Sequence, residues 1–260
     1  LSDGKMADDR KTNNVLWFGN CLEEMKRIPN KSIDLIYCDL PYGTTQCKWD
    51  EIIPYNEMWI ECKRVLKDYG TIVFHAQQPF TSALIMSNPK MFKYTWVWEK
   101  SKATGFLNSK IRPLVAHEDI VVFAKNKPPY NPQMTKGNAY NKGVRKEQTE
   151  NDVYGSFEQV EVKSEGLRYP RSVQYFKTAE SEGKTWHKTQ KPLSLCKYII
   201  STYTQESETV LDFTCGSDTT GIASFELGRN SISIENDLSI YKLAKKRREE
   251  KNIITADMQE

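Results

Sequence analysis

Asp39, Leu40, Pro41 and Tyr42 close an apolar run, Ser32 to Cys38, with a carboxylate, a backbone carbonyl ahead of a proline, and an aromatic ring. These groups suit a flat heterocycle that carries an amino group. Such an amine is a poor nucleophile because its lone pair is delocalised into the ring, and acceptors aimed at its two hydrogens favour the geometry that frees the pair. Asp39 offers one acceptor and the Leu40 carbonyl another, while Pro41 stiffens the turn through its fixed φ. Tyr42 offers a stacking face. Far downstream, Asp212 to Gly221 (DFTCGSDTTG) follows a second short apolar run, Thr209 to Leu211. Its glycines let a ligand approach the backbone closely, and open α/β sheets bind ligands at the carboxyl ends of their strands. The two segments read as halves of one pocket.

Positioning them requires an alternation of strands and helices, and the chain has one. Val15 to Phe18, Ser32 to Cys38, Gly70 to His75, Tyr94 to Trp98, Ile120 to Ala124, Thr209 to Leu211 and Ser231 to Ile234 read as strands. Asn20 to Ile28, Pro54 to Leu66, Leu193 to Tyr203, Thr219 to Leu227 and Leu238 to Lys251 read as helices, the first capped by Asn20 and stopped by Pro29. This rhythm predicts an α/β fold, a doubly wound and mostly parallel sheet with helices on both faces. Trp96 and Trp98 read as core residues, and His75 and His117 as structural ones. Trp49 and Asp50 are left between core packing and pocket lining.

Between Lys125 and Thr185 the pattern gives way to a Pro, Gly, Asn, Lys and Gln mixture with no lasting period. The expected organisation is therefore a disordered or tag-like 1–13, a catalytic domain from 14–124 and 186–252, and an insertion over 125–185. Lys125 to Lys191 holds 13 Lys/Arg against 8 Asp/Glu, more positive than the whole chain at +3. Tyr130, Tyr140, Tyr154, Phe157, Tyr169, Tyr175 and Phe176 are interleaved with those cations. That mixture suits contact with a nucleic-acid backbone and stacking on bases; a solvated loop is the plain alternative. Six scattered cysteines and three histidines lack metal-ligand spacing, so no metal is expected. No run is long enough to span a membrane and the start lacks an apolar signal core, so a cytoplasmic protein is expected.

Taken together, the motifs resemble those of the amino-methylating DNA methyltransferases of the β arrangement, in which a D/N/S-x-P-Y/F motif precedes the cofactor motif. The resemblance spans roughly residues 14 to 250. His187 to Pro192 (HKTQKP) is similar to that family's HPTQKP signature, DFTCGSDTTG stands where DPFxGSGTTG is usual, and Ser231 to Glu235 (SISIE) supplies an acidic strand end. The family implies a Rossmann-like catalytic fold with an inserted target-recognition segment. It also implies S-adenosyl-L-methionine as methyl donor and double-stranded DNA with a flipped-out base as substrate. Asp39, Leu40, Pro41 and Tyr42 become the expected catalytic residues. Asp212, Phe213, Gly216, Ser217, Thr219, Thr220 and Glu235, with Thr189, Lys191 and Cys38, become the expected cofactor contacts, Glu235 toward the ribose.

Asp at the first catalytic position leans toward adenine N6 rather than cytosine N4. The resemblance further implies a homodimer and a cognate restriction endonuclease as partners, and a bacterial or viral origin. Three positions depart from the pattern: Asp218 replaces the second glycine of GSG, Lys188 replaces a proline, and Phe213 and Thr214 lack the proline of DPF. A carboxylate at 218 is expected to repel the cofactor's own carboxylate and weaken binding, unless it caps the following helix and points away. That departure motivates a different class of function, a cofactor-deficient DNA-binding protein on the same fold. Methylation of RNA or of a protein amide is a third reading.

Overall fold

The computed structural model describes residues 13–43, 51–144, 150–151, 155–156 and 161–253. The N-terminal 1–12, Trp49, Asp50, Tyr154 and Phe157 lie outside the described residues. The chain forms two compact units, one from Leu1–Asn131 with Ser172–Glu260 and one from Pro132–Arg171.

The first unit follows the apolar runs. β1 (Asn14–Phe18), α1 (Cys21–Met25), β2 (Ile33–Asp39), α2 (Tyr55–Val65), β3 (Leu66–Ala76), α3 (Phe80–Ser87), β4 (Phe92–Thr104) and β5 (Val115–Ala124) come first. In the second unit, β6 (Thr135–Lys136) pairs with β11 (Leu167–Arg168), β7 (Tyr140–Val144) with β10 (Glu161–Ser164), and β8 (Glu150–Asn151) with β9 (Gly155–Ser156), all antiparallel. The Arg168 guanidinium lies 4.6 Å from the centre of the Tyr140 ring within that unit. The first unit resumes with β12 (Val173–Phe176), α4 (Ala179–Glu182), α5 (Leu193–Tyr203), β13 (Thr209–Asp212), α6 (Thr219–Glu226), β14 (Asn230–Glu235) and α7 (Leu238–Glu250).

Eight strands make one sheet in the order β1-β14-β13-β2-β3-β5-β4-β12. Every pairing is parallel except those of β5 with β3 and β4. β2 shows why the fold is doubly wound. It is buried at every position but its last, because both of its faces are covered. Ile36 and Cys38 join Met25, Met58, Trp59 and Leu84 from α1, α2 and α3, whereas Leu35 and Tyr37 join Leu195, Cys196 and Ile199 from α5.

The boundaries shift where tertiary contacts override the local pattern. α1 ends at Met25 rather than at Ile28, since Arg64 donates to the carbonyls of Met25 (2.6 Å) and Ile28 (2.7 Å). α3 has no polar face and was not anticipated as a helix. β4 and β5 run well past their apolar stretches into an exposed hairpin, and β12 adds an edge strand within the stretch expected to be an insertion. Trp96 and Trp98 pack in the core, their indole N–H groups donating to the Tyr203 hydroxyl (2.7 Å) and the Phe176 carbonyl (3.0 Å). Among the described residues, no helix is long and apolar enough to cross a membrane.

Phe123 on β5 is fully buried and meets Trp59 edge-on at 5.0 Å between ring centres. Phe123→Ala should cost about 3–5 kcal/mol of stability, read as a lower urea midpoint with an unchanged slope.

Candidate active site

Parallel pairing of β2, β13 and β14 brings Asp39, Asp212 and Glu235, the last residue of each, to one edge of the sheet. The two motifs are also joined directly. The Thr214 hydroxyl donates to the Asp39 carbonyl at 3.0 Å, and the Phe213 N–H donates to the Cys38 sulfur at 3.4 Å. Above this edge lies a cavity of about 900 Å³. Its walls include Cys38, Asp39, Leu40, Pro41 and Tyr42 on one side, and Asp212, Phe213, Gly216, Ser217, Thr219, Thr220 and Glu235 on the other. Thr189 and Lys191 complete the set of residues singled out from sequence.

Asp39 does not stand alone. Tyr42 Oη donates to its Oδ1 at 2.9 Å, and Lys191 Nζ to its Oδ2 at 2.6 Å. Lys191 also lies 3.3 Å from Glu118 Oε2, and Lys100 Nζ lies 3.2 Å from Glu118 Oε1. Burial alone would make Lys191 easier to deprotonate, but Asp39 and Glu118 outweigh it and hold the ammonium charged. Burial likewise opposes ionisation of Glu118, yet Lys191, His75 and Lys100 bring its carboxyl down to about 2. His75 shares a hydrogen bond with Tyr37 at 2.8 Å, and burial followed by the Lys191 charge lowers it to about 4, so its ring is neutral. Glu118 and Lys100 were not picked out from sequence. Only the antiparallel pairing of β4 and β5 places them beside Lys191, and the local sequence carries no sign of it.

On the other wall, Gly216 has φ 54° and donates its N–H to Glu235 Oε2 at 2.9 Å. A Cβ at that position would meet open space, but the left-handed backbone favours glycine. Glu235 Oε1 accepts from the Asp237 N–H at 2.9 Å, and burial raises the carboxyl above its ordinary value. Asp212 accepts from the Thr214 N–H at 3.1 Å, and burial lifts its carboxyl to about 7. His187 Nδ1 and the Thr189 hydroxyl are hydrogen-bonded at 2.9 Å, which shapes the HKTQKP turn.

Asp218 overturns the expectation attached to it. Its carboxylate is fully buried, lies outside the cavity wall, and forms a short ion pair with Arg248 Nε. Ser233 Oγ donates to its other oxygen at 2.6 Å, and Arg248 Nη2 donates to that hydroxyl at 3.0 Å. The side chain makes no capping hydrogen bond to α6, so capping is not what turns it away. The cause is the Arg248 charge behind the turn, together with a backbone at φ 62° that Asp tolerates better than most residues. Next to it, Arg247 Nη1 donates to the Ser217 carbonyl and to the Thr219 hydroxyl, each at 2.9 Å. Gly221 completes the device, because a Cβ there would collide with both Asp218 and Arg248. Among the described residues no group of three or more His, Cys, Asp or Glu is placed to hold a metal.

A doubly wound sheet with a carboxylate-lined cavity at its strand ends defines an α/β enzyme that binds an organic cofactor beside its substrate. The chain belongs to the DNA methylase family of N6 and N4 methyltransferases, whose profile matches residues 33–246. It is 30% identical to the type II methyltransferase M.HinfI of Haemophilus influenzae, over 90% of this chain and 68% of that protein. It is 26% identical to the DNA adenine methyltransferase YhdJ of Escherichia coli K12, over 88% of this chain and 80% of that one. Among solved structures it resembles the M1.HpyAVI–SAM complex (TM-score 0.62, 23% identity, 90% of this chain and 98% of that chain). It also resembles the cytosine-N4-specific PvuII DNA methyltransferase (TM-score 0.64, 15% identity, 95% and 89%).

Breaking the buried pair on one side leaves an unpaired charge. Arg248→Met should therefore cost about 3–5 kcal/mol, while Arg248→Met/Asp218→Gly should recover most of that loss in urea titrations. Acid acts through the other cluster. His75 is depressed from 6.5 to about 4 and Glu118 from 4.5 to about 2, so each stabilises the fold above its unfolded value. That stabilisation is lost as pH falls through those two windows. Asp212, raised from 3.8 to about 7, acts in the opposite sense and costs stability as pH rises across its window. Glu118→Gln should flatten the acid limb below its unfolded value, measured as urea midpoints across that range.

Proposed function

We propose that the chain transfers a methyl group from S-adenosyl-L-methionine to the exocyclic N6 of adenine in duplex DNA, at a base flipped into the cavity. The observation that carries this reading is the doubly held Asp39, joined through Thr214 to the strand end that offers Asp212 and Glu235. Those two buried carboxyls fit a donor that bears positive charge and a ribose diol, and Gly216 to Thr220 provide the close backbone surface it needs. When bound, the donor supplies an electrophilic methyl group. Asp39 and the Leu40 carbonyl accept the amino hydrogens and free the nitrogen lone pair, and the Asp39 charge stabilises the cation that develops on the nitrogen. Lys191 and Tyr42 fix the carboxylate's orientation. The Tyr42 ring packs 5.0 Å from Phe80, which supports its proposed role as the stacking face for the base.

Asp rather than Ser at the first catalytic position favours adenine over cytosine N4, and the YhdJ relative is named an adenine methyltransferase. The second unit, with its Tyr140 and Arg168 pair, serves as target-recognition element. The type II relatives come from bacteria, which favours a bacterial setting for this chain. The inert DNA-binding reading loses its motive, since the Asp218 carboxylate lies behind the turn.

Transfer of labelled methyl to unmethylated bacterial DNA, followed by nucleoside analysis, tests the reading. Wild-type protein should yield N6-methyladenine, and Asp39→Ala should lower the rate by at least about a thousandfold while retaining cofactor binding. Label appearing as N4-methylcytosine would replace the base assignment, and label absent from DNA would overturn the function.

A further inference from the structure

The β4–β5 hairpin ends in a feature that neither the sheet nor the cavity uses. Phe106, Leu107 and Ile111 at its tip are 79%, 97% and 83% exposed. Large apolar groups presented together on a surface mark a site of contact. Their backbone is ordered: Gly105, at φ 88°, starts a short 3₁₀ turn, Asn108 N–H donates to the Gly105 carbonyl at 2.9 Å, and the Ile111 and Arg112 N–H groups donate to the Asn108 carbonyl at 2.9 and 3.0 Å. From Lys100 to His117 the chain carries Lys100, Lys102, Lys110 and Arg112 and no Asp or Glu. Lys102, Ala103 and Thr104, at the base of the tip, line the cavity that holds Asp39.

We propose that residues 105–114 form a wedge that enters duplex DNA beside the target nucleotide. Its apolar side chains fill the space a flipped base leaves, and Lys110 and Arg112 hold flanking phosphates. Apolar wedges between base steps are a physical means of unstacking DNA, and extruding a base costs a few kcal/mol that new contacts must offset. Charge complementarity favours DNA over a second copy of this chain. A two-fold contact between tips would face Lys110 and Arg112 with their own copies, with no acid in the segment to pair them. The inference rests on the DNA-methylation reading and adds the element that opens the duplex.

The test uses the full chain and the Phe106→Ala/Leu107→Ala/Ile111→Ala variant, whose changes lie on the surface and leave thermal unfolding as a check of the fold. The probe is a duplex bearing the sequence that the wild type methylates, found by mapping methylated bases in bacterial genomic DNA. A second duplex places an abasic site opposite the target base, which removes the unpairing cost. The variant should be slower than wild type on the paired duplex by about tenfold or more in single turnover, and close to wild type on the abasic-opposed one. Equal rates on the paired duplex would overturn the wedge. So would an equal loss on both duplexes, above all if sedimentation showed a wild-type dimer and a monomeric variant, which would assign the tip to self-association. Bacterial genomic DNA that gained no methylated base from the wild-type protein at the mapping step would remove the methylation reading itself, and the wedge with it.

Discussion

The parallel register of β2, β13 and β14 is the constraint on which the rest of the molecule depends. It delivers three acids to one rim, Asp39, Asp212 and Glu235, with Asp218 just beyond. Crowded carboxylates repel, and burial raises the cost of each charge. The fold answers each acid differently. Asp39 is paired with Lys191, Glu235 takes two backbone N–H groups, Asp212 is lifted to about 7, and Asp218 is matched by Arg248. Those different answers set what each acid can do. A carboxylate oriented by an ammonium and a phenol can accept hydrogens from an amine, whereas one held by backbone amides is a fixed surface for hydroxyls.

Lys191 ties the arrangement together because its partners come from distant segments. Asp39 ends β2, Glu118 lies on β5, and Lys191 itself precedes α5. The ammonium thus fixes three elements around the Asp39 side of the cavity, while Arg247 and Arg248 fix α7 to the 216–220 turn. These cations act together with Leu40 and Phe213, which sit in the core, to join the loops to the sheet.

Much of this was legible in the sequence. Strands buried on both faces read as unbroken apolar runs, so β2 and the cores of β3 and β5 could be found, and α5 carries a helical period. The residues around the cavity could be named because they cluster in short motifs. What was not legible depends on partners far away. Glu118 and Lys100 gain meaning only from the β4–β5 pairing, and the edge strand at Val173–Phe176 only from its pairing with β4. In the run KKRR, nothing local marks Arg247 and Arg248 as the buried pair and Lys245 and Lys246 as their more exposed neighbours. The direction of Asp218 was open for the same reason, since its counter-ion lies 30 residues away.

That separation has a consequence for the order in which the protein is made. A ribosome releases the turn at 216–220 well before it releases Arg247 and Arg248. Until α7 docks, Asp218 has no cation to accompany it into the interior, and the turn has no reason to settle into its native form. The 216–220 turn therefore takes its form only after α7 has been made. On the function proposed above, chains stalled before α7 would carry Asp39 to Tyr42 without the surface proposed to hold the methyl donor, and would stay silent on DNA.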